Sequence, residues 1–351
     1  MPAAPSPLPA ARGPLSAALL TALTRPPHPV PSRLRRLAAE AGADGDVLAD
    51  EDFQLSLHLC YELHYRGLAG VDERWEWQPS LLGVRAALEA PLERALRELA
   101  GPRLPAADVP AGEVPRTLAA LAAADDGPSL SAYMHRQATA AQWRELLVHR
   151  SVYQLKEADP HTWAIPRLTG RAKAALVEVQ ADEYGGGRPE RMHSVLFAAS
   201  MRELGLDDAY GAYLDRVPAT TLAASVAASF FGLHRRWRGA AAGHLAALEM
   251  TSSVPMRKYA AGLRRLGYGP AATTFFDEHV EADAVHEQVA AHDLCGGLVE
   301  DEPELAGQVL LGAACCLALD ARMAAAVLDR WQQGLTSLRS LDEPPPIAAS
   351  A

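Results

Sequence analysis

The chain has 351 residues, 49% of them hydrophobic but only 6% aromatic, with four cysteines and a formal net charge of −10. The acidic balance speaks against a general nucleic-acid binder, which needs a basic stripe to meet phosphate. No apolar run reaches the roughly 18 residues of a membrane span, and Cys60, Cys295, Cys315 and Cys316 form no CxxC pair, which excludes a zinc-ribbon or disulfide framework and fits a reducing cytoplasm.

Residues 1–45 are rich in Pro and Ala and read as a flexible leader. From there helical periodicity predicts helices over 51–67, 80–100, 114–124, 130–158, 169–184, 188–204, 217–236, 239–253, 256–266, 270–293 and 302–333. The breaks carry helix-stopping residues: "QPS" at 78–80, "GPRLPAADVPAGEVP" at 101–115, "GGGRP" at 185–189 and "GYGP" at 267–270. No strand–turn–strand pattern competes, so the expected fold class is all-α. An N-terminal helical subdomain is expected over 46–125, a helical bundle over 126–335 and a disordered tail over 336–351. On the 51–67 helix, His58 and Glu62 stand four apart and read as a surface pair. The small-residue run "GAACCLAL" at 312–319 predicts close helix packing. A homodimer is the expected assembly.

The segment "HVEADAVH" at 279–286 holds the chemistry. At about 100° per residue, His279, Asp283 and His286 fall within about 60° of one another on one helix face. Their neighbours on that face are Phe275, Phe276, Ala282, Val289 and Ala290, whereas Asp277, Glu278, Glu281 and Glu287 lie on the other side. The stripe therefore points inward, and three buried polar groups demand partners or a metal. Three other helices offer inward polar groups: Glu249 among Ala242, Leu245 and Ala246; Glu183 on the face of Ala172, Leu176 and Val179; and His193 with Leu196, Phe197 and Ser200. Each alone fits an ordinary core hydrogen bond as well. Together they offer imidazoles and carboxylates without thiolate, which suits iron or manganese in a bundle core. Glu157, by periodicity, reads as a helix-end salt-bridge residue. Glu190, which forms an ExxH pair with His193, competes as a ligand, although an acid at a helix start is favoured by the dipole in any protein.

These residues, taken in order, resemble the haem-oxygenase-like di-iron oxidases and oxygenases, also described as iron-containing redox enzymes. The resemblance covers about 130–293, with a weaker similarity over 53–77. It implies that the bundle is haem-oxygenase-like and that Glu157, Glu183, His193, Glu249, His279, Asp283 and His286 are the metal ligands, with Glu157 assigned mainly on this ground. It further implies two non-haem irons as cofactors, O2 as co-substrate and a small organic molecule as substrate. N-oxygenation, desaturation and C–C cleavage are all open as outcomes. Two alternatives share the fold: a metal-free helical interaction protein and a haem-binding protein, the latter ill-suited to a carboxylate-lined slot.

Overall fold

A computed structural model describes residues 4–105 and 109–340, and of residues 281–284 the backbone alone. The protein is 73% helical, with no strand among the described residues, so the all-α expectation holds. The chain divides into two compact units, one of residues 1–96, 209–226 and 338–351, the other of residues 97–208 and 227–337.

In the first unit, α1 (Pro14–Leu23), α2 (Ser32–Glu40), α3 (Glu51–Glu62) and the greater part of α4 (Pro79–Ala100) pack around Leu19, Leu23, Leu34, Phe53 and Leu57. The segment 1–45, expected to be a flexible leader, thus carries two helices. Its pattern is easily missed, because α1 has no side-chain cap of its own. The Asp52 carboxylate of α3 caps it instead, accepting from the Leu15 and Ser16 N–H groups at 2.8 and 2.7 Å. Nor are His58 and Glu62 a surface pair. Both are buried, 4.0 Å apart, and Glu62 accepts a 2.6 Å hydrogen bond from the Tyr210 hydroxyl.

The second unit contains α5 (Val114–Ala123), α6 (Leu130–Arg136), α7 (Ala140–Gln154), α8 (Asp159–Thr162), α9 (Gly170–Glu183), α10 (His193–Glu203) and the end of α11 (Ala219–Leu233). It continues with α12 (Arg238–Arg265), α13 (Pro270–Gln288), a π-helix over Val289–Gly296, α14 (Gly297–Asp301) and α15 (Ala306–Gln332). Two boundaries differ from the periodicity. The stretch 130–158 divides at Gln137, because Thr139 and Gln142 form a reciprocal capping box that starts α7 afresh. Conversely, α12 runs unbroken through Pro255, where two helices were expected. Proline removes one backbone hydrogen bond, but packing on both sides of it keeps the helix going.

Crossing contacts between α12 and α15 set the depth of this unit. A Cβ on Gly243 would lie 1.8 Å from the Val309 carbonyl oxygen, and one on Gly312 would lie 2.0 Å from that of Ala240. Only glycine lets the two backbones approach this closely, so the small-residue run does bring close packing. The span Pro303–Gln332, which includes α15, is long and apolar enough to cross a membrane, a length the bare sequence does not show as an uninterrupted run; yet 72% of its most apolar window is buried within the fold.

Candidate metal centre

Five segments of the second unit converge on one buried volume. Glu157 lies in the turn that ends α7, next to Ala158, whose φ of 75° is left-handed and strained for a residue with a Cβ. Ala158 is held there by Gln180, whose Nε2 donates to its carbonyl at 2.8 Å. Glu183 is the last residue of α9 and His193 the first of α10. Between them Gly185, Gly186 and Gly187 have φ of 75°, 58° and 80°, a run open at little cost only to glycine. A Cβ on Gly185 would come within 2.7 Å of the Met192 nitrogen. This tight reversal brings the His193 Nδ1 to 2.9 Å from the Glu183 Oε2. Glu249 projects from the middle of α12, and His279 and His286 from α13.

One ligand atom from each of Glu157, Glu183, His193 and His279 lies within 4.8 Å of all the others, and the same holds for Glu183, Glu249 and His286. Bonds of about 2.1 Å to nitrogen and oxygen let a single ion span most of that width. Glu183 belongs to both groups.

The hydrogen bonding inside these groups is wrong for a satisfied core. Glu157 Oε2, Glu183 Oε2, His193 Nδ1 and His286 Nδ1 are all buried, and among the described residues none has a correctly directed hydrogen bond. His193 Nδ1 and Glu183 Oε2 are near enough to bond, as are His286 Nδ1 and Glu249 Oε2 at 3.3 Å, yet neither pair has the angles of a hydrogen bond. A buried polar atom left in this state costs about 1–3 kcal/mol. Four of them around two shared volumes fit bound cations.

The outer nitrogens fix the orientation of two rings. His279 Nδ1 lies 2.8 Å from the Phe275 carbonyl and donates its proton there, which turns Nε2 toward Glu157 Oε1 at 3.6 Å. His286 Nε2 lies 3.0 Å from the Asp182 carboxylate and donates to it, which leaves Nδ1 facing Glu249. Holding the far N–H of an imidazole in this way is how proteins prepare it as a metal ligand. The rings of His193 and His279 are 4.3 Å apart.

Titration follows the same geometry. Burial works against the charged form of His286, but Glu249, Asp182 and Glu183 outweigh it and lift its pKa to about 9. Burial likewise opposes a charge on His193, and Glu183 overrides it and moves the pKa up. Burial would raise Glu183, but His193, His279 and His286 bring it below the ordinary carboxylate value. Glu157 stays raised, chiefly by burial. The acids thus attract protons onto the imidazoles in the places where a cation would sit.

A cavity of about 320 Å3 opens onto Glu157, Glu183, Glu249 and His279. Leu245, Phe275 and Phe276 give it apolar walls, and Tyr153, Arg150 and Asp320 add polar groups.

Six of the seven residues expected as ligands are brought together in this way. The side chain of the seventh, Asp283, lies outside the described residues. Glu190 is exposed and belongs to neither group, so the ExxH alternative has no geometry behind it. Asp182 escapes the sequence, because it stands beside Glu183 on an outward-facing position; its one signal is the adjacent pair of acids in "ADEYGGG".

Residues 144–321 match the family model described as iron-containing redox enzyme, a match that covers half of the chain and every residue of both groups. The chain belongs to this haem-oxygenase-like family. No curated protein matches it.

Proposed function

We propose that the protein is a non-haem di-iron oxidoreductase that uses O2 to oxidise a small organic substrate. The observation that carries this reading is the shared carboxylate: two ligand groups meet at Glu183, so that one residue could serve a pair of metals. Glu157, His193 and His279 would hold one iron and Glu249 and His286 the other, with Glu183 available to both. The donor set of imidazole and carboxylate, with no thiolate among the described members, suits iron and leaves coordination positions open.

Bound iron supplies the redox change that O2 reduction requires. The chain's own part is binding and orientation. The Phe275 carbonyl and Asp182 keep the rings of His279 and His286 turned toward the centre. Leu245, Phe275 and Phe276 give the substrate's side apolar walls. The cavity's volume limits the substrate to a small molecule.

Elemental analysis after anaerobic Fe(II) loading tests the reading. About two irons per chain are expected in the wild type, with both lost in Glu183→Ala and one in His286→Ala. O2 uptake is then screened against amino acids, amines and fatty acids. One iron per chain, or a Glu183→Ala variant that keeps two, overturns the di-iron assignment.

A further inference from the structure

Tyr153 of α7 lines the cavity together with Glu157 and Glu183. Its hydroxyl lies 3.4 Å from His161 Nδ1, a long but well-placed link. His161 Nε2 in turn lies 3.1 Å from His244 Nδ1. Both histidines are buried, 1% and 5% exposed. They come from α8 and α12, and neither is a member of the ligand groups.

We infer that Tyr153, His161 and His244 form a proton relay that ends in the cavity beside the metal ligands. A relay of this kind needs neutral imidazoles, each with one N–H and one acceptor nitrogen. Burial, with His244 adding to it, holds His161 well below its ordinary value, and burial holds His244 at about 4, so both rings are neutral at pH 7.

In the inward direction, His244 Nδ1–H passes its proton to His161 Nε2, and His161 Nδ1–H passes its own to the Tyr153 oxygen. The phenolic proton then goes to an acceptor in the cavity. One proton enters from water at the Nε2 of His244, which is 5% exposed, each internal member stays neutral, and one proton leaves Tyr153 into the cavity. The reversed order of hydrogen bonds carries a proton outward. Reduction of O2 to hydrogen peroxide or water takes up one proton per electron, so a buried centre performing it needs a supply. For that purpose the inference rests on the O2 chemistry proposed above; the hydrogen-bond chain does not.

Two measurements on the full chain separate the claims. In metal-free protein labelled with 15N-histidine, both rings are expected to be neutral at pH 7, and Tyr153→Phe is expected to shift the His161 Nδ1 signal. In iron-loaded protein, Tyr153→Phe and His244→Gln are expected to slow O2 uptake on the order of 10²-fold, the usual scale of a lost proton donor, with iron content unchanged. The solvent deuterium isotope effect should change in both variants, which a purely structural role would not produce. An unmoved His161 signal, or iron-replete variants with the wild-type rate and isotope effect, overturns the relay alone. Wild-type protein that takes up no iron overturns the proposed function and the relay's purpose with it.

Discussion

His286 Nε2 lies 3.0 Å from the Asp182 carboxylate, and Asp182 is the immediate neighbour of Glu183, the residue common to both ligand groups. One turn of α9 therefore supplies a ligand and the group that orients another ligand on α13. Removing such an outer carboxylate typically costs about 10–100-fold in metal affinity. Asp182→Ala is accordingly expected to weaken iron binding at the proposed Glu249–His286 site by that factor. Binding at the proposed Glu157–His193–His279 site should be nearly unchanged. Competitive chelator titration of Fe(II) checks it, and equal weakening of both irons would contradict the pairing.

The glycine reversal between α9 and α10 offers a second test. Gly185 has a φ of 75°, and an added Cβ would meet the Met192 nitrogen at 2.7 Å. Gly185→Ala combines the left-handed penalty of about 1–2 kcal/mol with a backbone clash next to His193. Denaturant melts should show a loss of at least that size. Iron stoichiometry should also fall, because the turn brings Glu183 and His193 to their 2.9 Å separation. Gly186→Ala, whose Cβ would meet nothing within 4 Å, should cost only the conformational part.

Much of this centre is legible in the sequence, for a physical reason. Ligands that project inward from regular helices leave a periodic trace, and His279, His286 and Glu249 sit among apolar neighbours at helical spacing. Glu157 leaves no such trace, because it stands in a strained turn rather than on a helix face. The resemblance named it as a ligand where periodicity favoured a salt bridge. Asp182 is hidden for the opposite reason: its position reads as solvent-facing, and only the fold brings α13 to it. The helices were legible where caps and breakers are local. They were missed in α1, whose cap comes from Asp52, 37 residues away from Leu15, and misjudged at Pro255, where tertiary packing overrides a breaker.

The crossing of α12 and α15 carries a third prediction. Gly243 lies one residue before His244 and six before Glu249, so any separation of the helices moves both the relay and the centre. Gly243→Ala would place a Cβ 1.8 Å from the Val309 carbonyl oxygen. Overpacking against backbone costs about 1–3 kcal/mol, and this contact belongs at the upper end. The thermal midpoint is expected to fall by several degrees, while Gly307→Ala on α15, where a Cβ meets nothing within 4 Å, should leave it in place or raise it.

Acid should unfold the protein through its buried neutral histidines. His149 is 2% exposed, its Nε2 hydrogen-bonds with the Ser337 hydroxyl at 3.0 Å, and burial lowers its pKa from 6.5 to about 4. Between those two values the unfolded chain binds the proton and the folded chain does not, so stability rises with pH across that window. The contribution is complete above pH 6.5, declines as pH falls and is lost below about 4. A shift of this size corresponds to about 3 kcal/mol at most. His149→Gln keeps a polar partner for Ser337 but cannot titrate. The stability difference between wild type and His149→Gln, measured by urea melts from pH 4 to 7, should therefore move in the variant's favour as pH falls. A difference that stays constant across that range would mean that His149 is protonated in the folded protein at the same pH as in the unfolded chain.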